Sequence, residues 1–131
     1  MEQIDSSNYV EKVLRTESID FEKISSRLDT NNIRLLHACM GMQTESAEFT
    51  DMMKKHIFYG KPFDGKNAIE EIGDLMWYIG IACDELGISL NEIFQMNIEK
   101  LAKRYPNKFT EEDAIHRNVK HEMSHIEAKA K

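Results

Sequence analysis

The chain has 131 residues, of which 41% are hydrophobic and 31% charged, and its formal net charge is -6. This size and balance allow one modest folded domain and exclude a disordered chain. The acidic character offers no general footprint for nucleic-acid polymers or acidic membranes, so a phosphate ligand would need local cations or a metal ion.

Helical periodicity begins near the N-terminus. Apolar positions between residues 6 and 28 predict one or two short helices. The stretch from Asp29 to Asn32 is typical of a loop that offers N-caps, and it precedes a long helix over about residues 31–56. Gly60 and Pro62 predict the end of that helix.

Turn and cap residues also bound the later helices. With only six Gly and two Pro in the chain, long helices are favoured over a sheet with many tight turns. We expect helices at about 67–86, at about 89–104 and from 110 onwards, bounded by the Asp64-Gly65 turn, Gly87, the Ser89–Glu92 capping box and Pro106. The polar tail from residue 120 is expected to fray or to dock on a partner. The sequence therefore predicts an all-α helical bundle.

The cellular setting is also constrained. No apolar run approaches the ~18 residues of a membrane span, and the first residues lack the basic and apolar regions of a signal peptide. Cys39 and Cys83 lie inside apolar helical patterns, as free core thiols do. We expect a reduced, cytoplasmic protein without a disulfide framework.

Two pairs of carboxylates carry the main functional signal. Glu45 and Glu48 lie three residues apart, as do Glu71 and Asp74, so each pair occupies one face of its helix. Two such helices facing each other would bring four oxygen-rich groups together. Mg²⁺ or Mn²⁺ prefers that arrangement and leaves room for waters and substrate phosphates.

The same spacing has a structural alternative. Acidic residues number 23, and most acid pairs on helices are solvated or salt-bridged surface. Glu45, however, shares its helical face with Ala38, Gly41 and Met52. Carboxylates at the margin of an apolar stripe repel each other and lose hydration, which a bound cation would relieve. From spacing alone, metal binding and a salt-bridged role both stay open.

A second constellation lies on the fourth predicted helix. Asn97, Lys100 and Arg104 fall on one face, and an amide with two cations suits phosphate oxygens. The alternative is a solvated basic helix end that complements the helix dipole. Metal carboxylates and a cationic row together describe a triphosphate site.

With these motifs in view, the sequence resembles the MazG-like members of the all-α NTP pyrophosphatases. Their ExxE, variable gap and ExxD signature is matched by Glu45-x-x-Glu48, 22 residues, and Glu71-x-x-Asp74. The runs at 70–78, 86–90 and 97–106 are similar as well. The resemblance covers about residues 33–118. We treat residues 1–131 as a single MazG-like domain with its core at about 31–118, a helical extension at 1–28 and a polar tail at 119–131.

The resemblance implies a bundle completed by dimerisation, often assembled further into tetramers, that hydrolyses nucleoside triphosphates to monophosphate and pyrophosphate in nucleotide-pool control. It implies Mg²⁺, with Mn²⁺ as a substitute, on Glu45, Glu48, Glu71 and Asp74. It implies phosphate binding by Asn97, Lys100 and Arg104, with help from Lys54 or Lys61. The partner is a nucleotide, with no nucleic-acid polymer or membrane. The alternatives are dUTPase-like or phosphoribosyl-ATP pyrophosphohydrolase activity, and a non-catalytic helical oligomer that binds metal or nucleotide.

The implied mechanism is physically consistent. Metal ions polarise phosphoryl oxygens and lower the pKa of a bound water, which attacks the α-phosphorus while pyrophosphate leaves. A carboxylate not fully engaged by metal can orient that water, and Glu48 is the preferred candidate. Neither the base nor the sugar of the substrate is indicated.

Other motifs are weaker. Residues 121–125 fit the HExxH pattern of zinc proteases, but a polar chain end with no downstream third ligand argues against that function. A di-iron bundle would need Glu-x-x-His pairs, and Glu48 and Asp74 stand where His is required. His37 and His56 are expected to be surface or satisfied residues, and Trp77 is expected to serve packing or a dimer contact.

Overall fold

The computed structural model describes residues 4–124 and 126. Within them the regular secondary structure is helical without a strand, which confirms the predicted all-α class. The helices are α1 (Tyr9–Leu14), α2 (Phe21–Ser26), α3 (Thr30–Tyr59), α4 (Gly65–Leu86), α5 (Leu90–Arg104), α6 (Glu111–Ile115) and α7 (Val119–Met123). The chain divides into two compact units, Met1–Ile33 and Arg34–Lys131.

The first unit holds two short helices, as predicted for residues 6–28. Asp20 caps α2 by accepting a hydrogen bond from the Lys23 backbone N–H at 3.1 Å. Neither α1 nor α2 contains a buried residue. Asp29 accepts from the Asn32 backbone N–H at 2.8 Å where α3 begins, so this residue supplies the expected cap.

In the second unit, α3 ends where Gly and Pro predicted. Gly60 has a φ of 68°, a left-handed conformation that favours glycine. The Lys61 backbone N–H donates to the Lys55 carbonyl at 3.2 Å and closes the helix end. The chain then turns through an extended segment into α4.

The ends of α4 and α5 also follow their local sequence. Asp64 caps α4 by accepting from the Asn67 backbone N–H at 3.1 Å, and Gly87 ends it with a left-handed φ of 64°. Ser89 and Glu92 form the predicted capping box: the Glu92 N–H donates to the Ser89 Oγ at 3.2 Å and the Ser89 N–H to the Glu92 carboxylate at 3.0 Å.

Helices α3 and α4 of the second unit run antiparallel. Near the start of α3, Arg34 bridges Asp84 and Glu85 near the end of α4, each at 2.7 Å. Small and flexible residues fill the shared core, where Ala38, Gly41, Met52, Ala68 and Cys83 are buried together with Met96 of α5. Cys39 is exposed, so the prediction of a second core thiol was wrong: the residue lies one position past the buried Ala38 and turns outward.

The C-terminal part differs from the expected single helix. Residues 116–118 interrupt it, and Asn118 caps a separate α7 by accepting from the His121 backbone N–H at 3.1 Å. Glu122 of α7 is only 2% exposed and packs against α5. The described part of the tail therefore docks within the chain instead of fraying. No helix in the described residues combines the length and apolar character that crossing a membrane requires.

Candidate metal centre and adjoining groove

The antiparallel register of α3 and α4 positions the carboxylates. Gly41 of α3 meets the ring of Tyr78 on α4. Four residues further along α3 is Glu45, and four residues back along α4 is Asp74. Since four residues are about one helical turn, both side chains stay on the facing surfaces.

Three of the predicted ligands come together in the structure. Carboxylate oxygens of Glu45, Glu71 and Asp74 lie within 4.8 Å of one another. Glu71 is buried at 7% exposure, Glu45 is half-buried and Asp74 is exposed, so the cluster opens from the core to solvent. Oxygens bound to one Mg²⁺ at about 2.1 Å lie at most about 4.2 Å apart, and a small side-chain adjustment would therefore suffice.

The negative charge of the cluster has no cationic partner among the described residues. In the part of the chain that the structure describes, Glu45, Glu48, Glu71 and Asp74 form no ion pair with Lys, Arg or His. Desolvation raises the pKa of Glu45, and the neighbouring charge of Glu48 and then of Asp74 and Glu71 raises it further, while the Thr44 hydroxyl lowers it. An oxygen-only donor set with unbalanced negative charge fits a hard divalent cation.

An open groove of about 540 Å³ adjoins the cluster, a volume in the range of small-ligand sites. Glu48 and Glu71 both line it, so the fourth predicted carboxylate faces the same space as the buried one. Its other lining residues are Ala47, Asp51, Met52, Lys55, Lys61, Pro62, Asp64 and Asn67. The groove is therefore polar, with both acidic and basic groups.

The lysines of this region have different roles. Lys54 pairs with Asp51 at 2.6 Å and is not among the groove residues. Lys55 lines the groove but also binds Asp51, and these two lysines lower the pKa of Asp51 to about 2. Lys61 lines the groove and forms no ion pair with any described residue. Its carbonyl oxygen lies 2.8 Å from the His56 Nδ1, which fixes the loop.

The row on α5 is separate from the groove. Asn97, Lys100 and Arg104 occupy one helix as predicted, but none of them is among the residues that line the groove. Arg104 donates to the Glu122 carboxylate at 2.6 Å, and Arg117 donates to the same oxygen at 3.0 Å. The two guanidinium groups lower the pKa of Glu122 to about 2. Arg104 is thus engaged with an internal anion.

The HExxH residues do not form a protease centre in the described structure. Glu122 would be the general base, yet it is buried and paired with two arginines. His121 lines a small cavity of about 170 Å³ beside them, and His125 lies outside the described residues. His37 packs edge-on against Tyr78 with ring centroids 5.6 Å apart, which agrees with its expected structural role.

Asn67 and Lys55 are site residues that the sequence interpretation missed. The Asn67 Nδ2 donates to the Glu71 Oε1 at 2.7 Å. Its position one turn before Glu71 is a signal that could have indicated it, because residues four apart on a helix are neighbours. Lys55 lies seven residues after Glu48, two turns along the same face, and could have been found in the same way.

The class of protein to which this helical chain belongs is shown by a comparison with family models. The family model of the MazG nucleotide pyrophosphohydrolase domain matches residues 36–109, which is more than half of the chain, and the chain belongs to this family. The match begins within α3 and ends beyond α5, so it includes both carboxylate pairs and the α5 row. No curated protein and no solved structure matches the chain significantly.

Proposed function

We propose that this chain hydrolyses nucleoside or deoxynucleoside triphosphates to monophosphate and pyrophosphate in a Mg²⁺-dependent reaction that controls the nucleotide pool. Membership of the family supports nucleotide pyrophosphohydrolase activity in general. The observation that carries the proposal is the uncompensated cluster of Glu45, Glu71 and Asp74 beside a groove of ligand size.

Each carboxylate has a role in this proposal. Glu45, Glu71 and Asp74 would hold Mg²⁺, with Glu48 one turn from Glu45 as the fourth ligand. A bound divalent cation supplies charge neutralisation at the phosphates and a water of lowered pKa. Glu48 is exposed in the groove and would orient that water towards the α-phosphorus by accepting its hydrogen bond.

Cationic groups would bind the phosphates. Lys61 is the first candidate, because it lines the groove and its ammonium has no acidic partner in the described chain. Asn97 and Lys100 would contribute from α5. Arg104 would contribute only after exchanging the Glu122 carboxylate for a phosphate.

A second copy of the chain would complete the bundle, as homodimer or tetramer. Ile69, Ile72 and Trp77 are 73%, 52% and 60% exposed. At 100° per residue these three side chains share one side of α4, away from Glu71, and the Trp77 ring packs edge-on against Tyr78 with ring centroids 4.9 Å apart. Large exposed apolar side chains on one side of a helix favour a protein contact.

The test is the identification of products. Purified protein is incubated with each ribo- and deoxynucleoside triphosphate, with dUTP and with phosphoribosyl-ATP, in Mg²⁺, Mn²⁺ or EDTA. Metal-dependent formation of monophosphate and pyrophosphate is expected, and the fastest substrate separates the dUTPase-like and phosphoribosyl-ATP alternatives. Diphosphate and orthophosphate would contradict attack at the α-phosphorus. Metal binding without turnover of any substrate would favour the non-catalytic oligomer.

A further inference from the structure

The contact between Asn67 and Glu71 reaches the candidate metal centre from within α4. The Asn67 Nδ2 donates to the Glu71 Oε1 at 2.7 Å, and both residues line the groove. Glu71 is the most buried of the clustered carboxylates, at 7% exposure. Its orientation therefore decides whether an oxygen faces Glu45 and Asp74.

A neutral amide is better suited than a cation to orient the Glu71 carboxylate for a metal ion. A lysine or arginine at the same place would neutralise Glu71 and compete with a metal ion for it. The uncharged amide holds one carboxylate oxygen and leaves the negative charge in place. Hydrogen bonds to ligating carboxylates fix their orientation and tune their metal affinity.

The Asn67 side chain is not needed to cap α4, because Asp64 already does so. The N-terminus of α4 is capped by Asp64, whose carboxylate accepts from the Asn67 backbone N–H at 3.1 Å. That cap uses the main chain of Asn67 and not its side chain. Removing the amide therefore leaves the helix cap intact and removes only the hydrogen bond to Glu71.

We propose that Asn67 is a positioning residue that orients Glu71 for a divalent cation. This inference rests on the proposed function, because it requires the carboxylate cluster to be the metal site. The residue acts through Glu71 and has no direct contact with substrate in the proposal.

The test measures metal affinity without nucleotide. Binding of Mn²⁺ to the full chain is followed by the loss of the free-ion electron paramagnetic resonance signal. Asn67→Leu, which has a similar shape and no donor, is expected to weaken binding by about 10–100-fold. Asn67→Gln, which keeps the amide, is expected to recover part of the loss, and Lys66→Ala at an exposed neighbouring position is the control. At saturating Mg²⁺, kcat of Asn67→Leu should return towards wild type while the Mg²⁺ requirement stays raised.

The outcomes separate the two proposals. If wild-type protein binds no Mn²⁺, the metal site itself is wrong. If wild-type protein binds Mn²⁺ and Asn67→Leu binds it equally well, only the positioning role is overturned. A lower Tm in EDTA for Asn67→Leu, with no recovery of metal binding in Asn67→Gln, would mark a structural residue and also overturn the inference. Asn67→Ala replaces Asn67→Leu if the latter does not fold.

Discussion

Gly41 of α3 lies against the ring of Tyr78 on α4, and a Cβ added at Gly41 would overlap three atoms of that ring. The contact is one helical turn from both Glu45 and Asp74. Glycine is needed here for close approach of the helices and not for a special backbone conformation. The lack of a side chain at Gly41 therefore allows the two helices that carry the carboxylates to approach each other closely.

Gly41→Ala is predicted to destabilise the protein by about 1–3 kcal/mol, the usual cost of overpacking a fitted contact. Alanine is the better helix former by about 1 kcal/mol, so without the overlap the change would stabilise. The midpoint of urea unfolding, measured at fixed protein concentration, shows whether Gly41→Ala destabilises or stabilises the protein. In a Tyr78→Ala background, Gly41→Ala should become neutral or stabilising, and an unchanged cost there would contradict the account.

Glu45→Gln is predicted to raise the Tm of the protein in EDTA. Burial and the charges of Glu48, Asp74 and Glu71 raise the pKa of Glu45, so its ionised form is disfavoured in the folded state. A neutral side chain of the same shape removes that repulsion. The same variant should lose most of the increase in Tm that Mg²⁺ gives the wild type. A lower Tm in EDTA would mean that Glu45 stabilises the fold by a contact of its own.

The contribution of Glu122 to stability is predicted to depend on pH. Arg104 and Arg117 lower its pKa from an ordinary value of 4.5 to about 2. The stabilisation is therefore complete above the unfolded pKa and is lost as pH falls towards 2. Thermal unfolding should show Glu122→Gln well below wild type at pH 7, with the gap closing from about pH 5 downwards. Glu112→Gln, at an exposed position on α6, is the control, and a gap independent of pH would contradict the ion-pair account.

If the proposed homo-oligomer uses the apolar side of α4, Trp77→Glu is predicted to weaken self-association. Trp77 is 60% exposed on the apolar side of α4, where a buried charge in an interface would carry a desolvation penalty. Sedimentation velocity should show a shift to the monomer over a range of concentrations. Asn91→Glu, which adds the same charge at an exposed position on α5, should leave association unchanged. Equal association of both variants would place the contact elsewhere.

Local signals predicted most of the helix boundaries. Gly60 and Gly87 both adopt positive φ where the sequence indicated helix ends, and Ser89 with Glu92 forms the indicated capping box. These features depend on residues close in sequence, so the pattern contains the information. The common face of each carboxylate pair could also be predicted from the sequence, because residues three apart on a helix are neighbours.

Contacts between residues distant in the sequence could not be predicted in the same way. Arg104 suits a phosphate by its position on α5, yet Glu122, 18 residues later, occupies its guanidinium. Nothing in the local sequence identifies Glu122 as that partner, because the contact depends on the break at residues 116–118 that returns α7 to α5. Similarly, Lys61 lines the groove without an acidic partner among the described residues, whereas Lys54 pairs with Asp51 one turn away and does not line the groove.

The most direct test of the metal-dependent site compares two neighbouring glutamates. Glu71→Gln and Glu70→Gln remove the same charge at adjacent positions of α4, but Glu71 is buried in the carboxylate cluster and Glu70 is exposed. Monophosphate and pyrophosphate release is measured with the best substrate and saturating Mg²⁺, with folding checked by circular dichroism. Loss of at least about 100-fold in Glu71→Gln, with Glu70→Gln close to wild type, is the predicted result. Near-wild-type turnover in a folded Glu71→Gln protein would contradict the assignment of the site.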